Sequence, residues 1–594
     1  KENVEGIVAF GGDEDDAVEN VIIEHNLVEN IDGENPEGGA VGISIQGNVN
    51  GATVSYNVVD NIGMETKSYA LGFVIRSTGN HEDGEEKDPQ GVVLTHNDFS
   101  NILPNPNDSY DLDGVGFEFE VEHQSNPVTV ENNTFSNTTL QVEDKTPGRG
   151  LTKLNLDAIL DNNTFDRAVV IRDNGSVKVE SNGYQKIYSP IGPAVETADA
   201  GETVEVYNGT DPSYDENLLI DKSLTLQGIP SASGSSAANS THKAAPAGAP
   251  TINGSVEVTA NSVTVDSFII QGGPTTATST AFNAIYARGG TSGHTFSNNT
   301  LPGPGQGGNR RGILFGSGGV TNSTISGNSI RDWQSGLFLN PGADNITITG
   351  NSIENNFAGI GSDGISNVTI TENLIADNAE GFGAGTPGTG IVVTQNCIIR
   401  NFDTGAITNY DGSNGNQIDA TENWWGSAAG PGTNGANDVS DGVNASNPLA
   451  EPAGVPGCSS SGGSGCEIPS VVSENQVGQT LEVTFSAGSN EVFDNVKFTL
   501  LNNFEVDESQ LPPGFNADGG NANNSTPPVQ YNYTGSSSSD ATFVLNAVPP
   551  SGGGTFEASY FAILENECGS TFNADPVHQI ARAAPDEMTL SGNY

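Results

Sequence analysis

The sequence predicts an all-β chain, most of it a stack of short strands coiled about one axis, and three observations carry that expectation. A phrase returns six times, at residues 295–301, 324–330, 347–353, 369–375, 392–398 and 419–425. Its asparagines, at 299, 328, 351, 373, 396 and 423, are spaced 29, 23, 22, 23 and 27 residues apart, a near-constant period of the kind solenoids show. Within each copy apolar and polar residues alternate and Ile, Val and Thr dominate, which fits strands and not helices. An earlier set of asparagines, at 26, 57, 97, 133 and 163, extends the pattern to the start of the chain with longer intervals.

One copy is too short to bury anything alone. Stacked about 4.8 Å apart, the copies become rungs of a parallel β-helix, with Ile325, Ile348, Ile370 and Val393 aligned inside it. Each fully buried Ile or Val contributes on the order of 1.5–3 kcal/mol before the opposing ordering entropy. The recurring Asn suits a corner for two reasons: it tolerates the left-handed backbone region, and its amide can bond to the next Asn in a ladder.

The segment Asn423-Trp424-Trp425-Gly426, followed by Gly430-Pro431, resembles the last-rung phrase of right-handed parallel β-helix repeat proteins of the pectate-lyase-like superfamily. That superfamily holds lyases, glycosidases, phage tailspikes and non-catalytic surface proteins, so the resemblance implies a fold and leaves function open. A second start is visible at Ser189-Pro190, where Ile191, Ala194, Val195 and Ala198 share one face of a short helix with Ser as N-cap and Pro at the first helical position. The text that follows, at 200–206 and 220–228, resembles the capped first rung of many secreted β-helices.

The expected organisation is therefore two tandem right-handed parallel β-helices followed by an immunoglobulin-like β-sandwich. The first helix covers 1–183, the second 187–450, a Gly/Ser/Pro linker 451–466 and the sandwich 467–584. Residues 585–594 resemble the opening of the sorting domain of the type IX secretion pathway, which implies export across an outer membrane. No cap is visible at the beginning of the first helix, so its end is expected either to continue into upstream sequence or to dock on another molecule, self-association included.

Composition narrows the partners. The 594 residues carry 74 Asp and Glu against 20 Lys and Arg, a formal charge of −54. Nucleic acid and anionic membrane surfaces are repelled by that balance, and an acidic surface of this kind suits high salt. No run of about eighteen apolar residues is present to span a membrane, and Lys1 opens without a signal-peptide pattern, so a secreted form has lost its leader. The expected location is extracellular or on the cell surface. Four cysteines allow three pairings; Cys397 with Cys458 and Cys466 with Cys568 are favoured, with buried free thiols the alternative.

Candidate sites are few. Asp108, Asp111 and Asp113 precede Gly114 in a spacing like that of a calcium loop, with Glu118 completing an oxygen set for Ca2+. In the strand 117–122, Phe117, Phe119 and Val121 point inward and three glutamates outward, where they need no catalytic explanation. The position before each repeat Asn holds His25, Tyr56 and His96 on the first coil, an outward column of rings that can contact carbohydrate. On the second coil Arg331 precedes Asp332 and Arg400 lies near Asp403, which reads as surface ion pairing. The resemblance implies clustered Asp residues or an Arg or Lys base in the enzymes of this fold. No Asn-Thr-Asp, Asp-Asp or Arg-Ile-Lys set is present on the second coil, and no catalytic residue is assigned.

The leading expectation is thus a non-enzymatic extracellular structural or adhesive protein, a rigid acidic rod able to form filaments. The alternatives are a polysaccharide lyase or glycoside hydrolase acting on extracellular polysaccharide, and a carbohydrate-binding module without turnover.

Overall fold

The computed structural model describes residues 4–458 apart from 13–16, 33–38, 64–68, 78–86, 105–113, 122–127, 148–153, 231–244, 247, 275–281, 307, 402–404, 412–417, 433–437 and 453, together with the strands of residues 470–580. On either side of a junction at residues 156–207, the described strands up to residue 444 belong to coils built from three parallel sheets. In the first stack one wall is built from β1 (Val4–Gly11), β2 (Ala40–Gly47), β3 (Ala70–Arg76), β4 (Gly114–Glu120) and β5 (Leu140–Asp144), each parallel to the next. Two further parallel sheets close the prism.

The strands form because their inward positions are apolar at every rung. Phe99, Phe135 and Phe165 stack at 5.2 and 5.3 Å between ring centres, close to one rung apart. Glycine is required where coils approach most closely: a Cβ on Gly42 would lie 2.6 Å from the Gly72 carbonyl, and one on Gly336 would lie 2.7 Å from that of Gly359. Phe117 and Phe119 in β4, and Val121 just after it, are buried as expected.

At the junction the pairing changes direction. β6 (Ala168–Asp173) and β7 (Gln185–Tyr188) run antiparallel to their neighbours, β7 against β5 and β6 against β8 (Thr203–Tyr207). From β8 onward the register is parallel again, and one sheet of eighteen strands passes through both stacks. Two helices sit here, α1 (Leu156–Asn162) and α2 (Ile191–Thr197). Ile191, Ala194, Val195 and Ala198 are buried on one face of α2. Its N-terminus differs from the expectation: Pro190 is the N-cap residue with no side-chain bond, and the Glu216 carboxylate takes the N–H groups of Ile191 and Gly192, both at 2.7 Å. An acid 25 residues downstream thus does what Ser189 was expected to do, and it also complements the helix dipole.

In the second stack Phe296, Ile325, Ile348, Ile370 and Val393 are register partners and fully buried. The Asn ladder is complete. Asn351, for example, donates its backbone N–H and its amide to Asn373 Oδ1, both at 2.9 Å, and its amide also reaches the carbonyls of Ile325 and Thr349. The first stack has the same ladder from Asn26 to Asn163. A second ladder, from Asn356 through Asn378 to Asn401, runs along another corner with Trp333 at its head.

The left-handed backbone belongs to the residue before the ladder Asn and not to the Asn itself: His25, Tyr56, His96, Asn298, Glu372 and Gln395 all have φ between 53° and 58°. The bend is made one residue early, leaving the Asn free to point into the wall.

Cys397 is bonded to Cys458, the pair favoured in the sequence, while Cys466 and Cys568 lie outside the described residues. Beyond residue 469 the strands are antiparallel, in one sheet of four and another built around Phe493–Asn502 and Phe556–Asn566. Residues 585–594, with their resemblance to a sorting domain, also lie outside the described residues.

Candidate functional site

The ring column of the first stack forms as expected in position. His25 and Tyr56 stack at 5.1 Å with planes 8° apart, and Tyr56 and His96 at 4.9 Å and 20°. Because the rings lie face to face at the rung spacing, they cover each other's faces. What they offer outward is a line of edges: two imidazoles on either side of the half-exposed Tyr56 phenol.

Asp108, Asp111 and Asp113 lie outside the described residues. Glu118 is described, and its surroundings differ from the calcium expectation made for it. It points outward yet is almost fully buried, with one carboxylate oxygen 3.3 Å from Arg76 and the other 2.7 Å from Lys145. Both oxygens are therefore engaged by cations and not open toward a calcium ion. Among the described residues no group of three or more His, Cys, Asp or Glu is placed to hold a metal.

The pairing continues as an alternating chain of charges. Lys145 is also 3.5 Å from Glu143, Glu143 is 3.5 Å from Lys186, and Lys186 is 3.6 Å from Glu180. Burial alone would lower the Lys145 pKa; the charges of Glu118 and Glu143 outweigh it and hold the amine above its ordinary value. A lysine kept this firmly charged is no proton acceptor. The cluster pins β3, β4 and β5 to the antiparallel junction.

A different arrangement occupies a corner of the second stack. Four strands lie in parallel there, β9 (Ser329–Arg331), β10 (Ser352–Glu354), β11 (Leu374–Ala376) and β12 (Cys397–Ile399). Their central isoleucines point into the core, and the residues on either side point out. Immediately after the strands come Asp332, Asn355, Asp377 and Arg400, one per coil, all at φ between 52° and 65°. The bend turns these four side chains into a single outward column beside Glu354.

The contacts within this column are specific. Arg400 grips Asp377 with both arms, at 2.7 and 2.6 Å, and Asn355 donates to Asp332 at 2.8 Å. Arg331 lies 3.9 Å from Asp332 and is largely exposed. Asp403, the expected neighbour of Arg400, is outside the described residues. Burial raises the Glu354 pKa; a bond from Ser352 opposes it, the negative Asp377 adds to it, and Arg400 and Arg331 pull the other way. The net result is a carboxyl biased toward its protonated form next to a carboxylate clamped by a guanidinium. A buried carboxyl that favours its protonated form is the raw material of general acid catalysis.

Sequence reasoning found Arg331 and Arg400 but missed Glu354 and Asp377. The signal was present, since 332, 355, 377 and 400 repeat with the period of the second ladder, one residue ahead of Trp333, Asn356, Asn378 and Asn401.

The family described as right handed beta helix region matches residues 252–423, which include this corner. Among curated proteins none matches. Solved structures that do include the A-module of the mannuronan C-5 epimerase AlgE6 of Azotobacter vinelandii, 12% identical over 73% of this chain and 83% of that one, with a TM-score of 0.20. The enzymatically active domain of bacteriophage CBA120 tailspike protein 2 is 11% identical over 70% and 81%, with a TM-score of 0.25. Tailspike gp49 of Acinetobacter baumannii bacteriophage Fri1, a capsular polysaccharide depolymerase, is 11% identical over 91% and 87%, with a TM-score of 0.16. These matches run against the expected non-enzymatic structural or adhesive rod, since they include an epimerase and a depolymerase. Over residues 252–423, where the family model matches and coil after coil pairs in parallel, the chain folds as a parallel β-helix.

Proposed function

We propose that this chain acts on an extracellular polysaccharide and cleaves its glycosidic bonds at the corner of Glu354 and Asp377. The observation that carries the reading is a carboxyl biased toward its neutral form, Glu354, standing beside the Asp377–Arg400 ion pair. In this mechanism Glu354 donates its proton to the glycosidic oxygen as the bond to the anomeric carbon breaks. Asp377 and Arg400, bonded to each other, hold the corner in which Glu354 stands, and the ring oxygen of the sugar shares the positive charge developing at the anomeric carbon. Water then adds to the anomeric carbon and returns a proton to Glu354. The exposed ring of Phe357, two residues past Asn355, supplies an apolar surface for a sugar face.

The rest of the molecule fits this reading as a scaffold. Two tandem right-handed coils, 1–183 and 187–450, carry an immunoglobulin-like domain at 467–584, and the protein works outside the cell. The edges of His25, Tyr56 and His96 form a second line of carbohydrate contact. Val8, Phe10, Ile22 and Leu27, exposed on the first coil, are the surface through which a second copy would associate.

The test is incubation of the protein with neutral and uronate-containing extracellular polysaccharides, following new reducing ends. Activity on at least one polymer is expected, with Glu354→Gln and Asp377→Asn each lowering it roughly 100-fold or more. Absence of new reducing ends across the panel, or full activity in both variants, refutes the proposal.

A further inference from the structure

The outward faces of β11 and β12 are apolar and yet buried. Leu374, Ala376, Cys397 and Ile399 form a cluster separate from the inner core, together with Trp424 and Val455. Leu449 and Cys458 pack against the same cluster, so chain arriving from beyond the last coil covers this part of the wall. Two links fix it there: the Leu449 N–H donates to the Asn423 carbonyl at 3.0 Å, and Cys458 is bonded to Cys397.

The covered patch borders the corner described above. Glu354 is the register partner of Ala376, and Ala376 of Ile399, so the three form one outward column. Ser352, which bonds Glu354, is likewise in register with Leu374 and Cys397. Asp377 directly follows Ala376, and Arg400 directly follows Ile399. The acid therefore stands where the open corner meets the covered apolar wall.

We infer that Val455, anchored by the Cys397–Cys458 disulfide, is a positioning residue that keeps water away from the Ala376 side of Glu354. It touches no substrate. Its effect reaches the reaction through Glu354: with the wall in place the carboxyl is short of solvent and holds its proton, and with the wall loosened it hydrates and ionises more readily. This inference rests on the proposed role of Glu354 for its consequence in catalysis, but not for the wall itself.

Labelling of carboxyl groups with a carbodiimide and an amine, read residue by residue by mass spectrometry, tests the wall without any substrate. In the full chain with its disulfide intact, Glu354 is expected to react slowly. Val455→Ser, and separately Cys397→Ser with Cys458→Ser, are expected to raise its labelling roughly threefold or more. The exposed Asp215 is the internal reference and should not change. Equal labelling of Glu354 in all three proteins, with circular dichroism unchanged, overturns the inference. The pH profile of polysaccharide cleavage is the second reading: the Val455→Ser profile should lose its alkaline limb at lower pH than the wild type. A protein with no cleavage activity whose Glu354 labelling still rises in the variants refutes the proposed function and leaves the wall standing.

Discussion

Arg400 holds Asp377 of the preceding coil through two bonds, Nε to Oδ1 and Nη2 to Oδ2, while both residues keep a left-handed backbone. An arginine and an aspartate in that conformation cost more than glycine or asparagine would, and of the four residues in this column only Asn355 is of the cheaper kind. Removing the cation leaves Asp377, whose side chain is 8% exposed, without its partner. Arg400→Gln should therefore lower stability by roughly 2–4 kcal/mol, and adding Asp377→Asn should recover part of the loss. Thermal unfolding of the single and double variants checks this.

Glu354 should leave a signature in the pH dependence of stability. Its folded carboxyl binds a proton more tightly than the unfolded chain does. Its contribution is full below the ordinary glutamate range and is lost as pH rises through the folded value. Glu354→Gln, which cannot ionise, should melt higher than the wild type at neutral pH, with the difference vanishing at acidic pH. A constant difference at all pH values would contradict the buried-acid reading.

His294 gives the opposite slope. It is buried, stacks on Phe296 at 5.7 Å and has its Nε2 2.8 Å from the Thr291 hydroxyl; burial lowers its pKa from 6.5 to about 4. The unfolded chain takes up this proton first, so stability is full above pH 6.5 and falls as pH drops toward about 4. The loss is on the order of 2–3 kcal/mol. Wild type minus His294→Asn, followed from neutral to acid pH, should show that slope.

The Asn ladder is the last test. Asn351→Ala takes a donor from the carbonyls of Ile325 and Thr349 and removes the Oδ1 that accepts from both the backbone N–H and the amide of Asn328. The expected cost is roughly 2–4 kcal/mol. Asn253→Ala removes an exposed bond to Asp215 and should stay within about 0.5 kcal/mol. Hydrogen exchange should show the Asn351 variant opening locally around its own coil.

Some of this was legible in the sequence and some was not, for physical reasons. The inner column from Ile325 to Val393 and the first ladder could be read because the interior dictates residue identity as well as spacing. The column of Asp332, Asn355, Asp377 and Arg400 could not, because an outward corner fixes position and leaves identity open. Glu118 was read correctly as outward, and its burial was not legible. Alternation reports a direction, whereas its burial depends on Arg76 and Lys145 from other coils. The cap of α2 escaped because Glu216 is distant in sequence. Glu354 and Asp377 escaped because they belong to no known phrase and only the periodicity of the corner marks them.

The hydrogen bonds between coils and both asparagine ladders lie along the stacking direction, so they meet a pull on the ends of the protein in series. Under such tension the rod lengthens by shedding turns one after another, each at modest force. The link between Cys397 and Cys458 changes where that begins. A load arriving from the C-terminal side enters the stack at Cys397, and residues 398–457, Arg400 among them, are bypassed by the force.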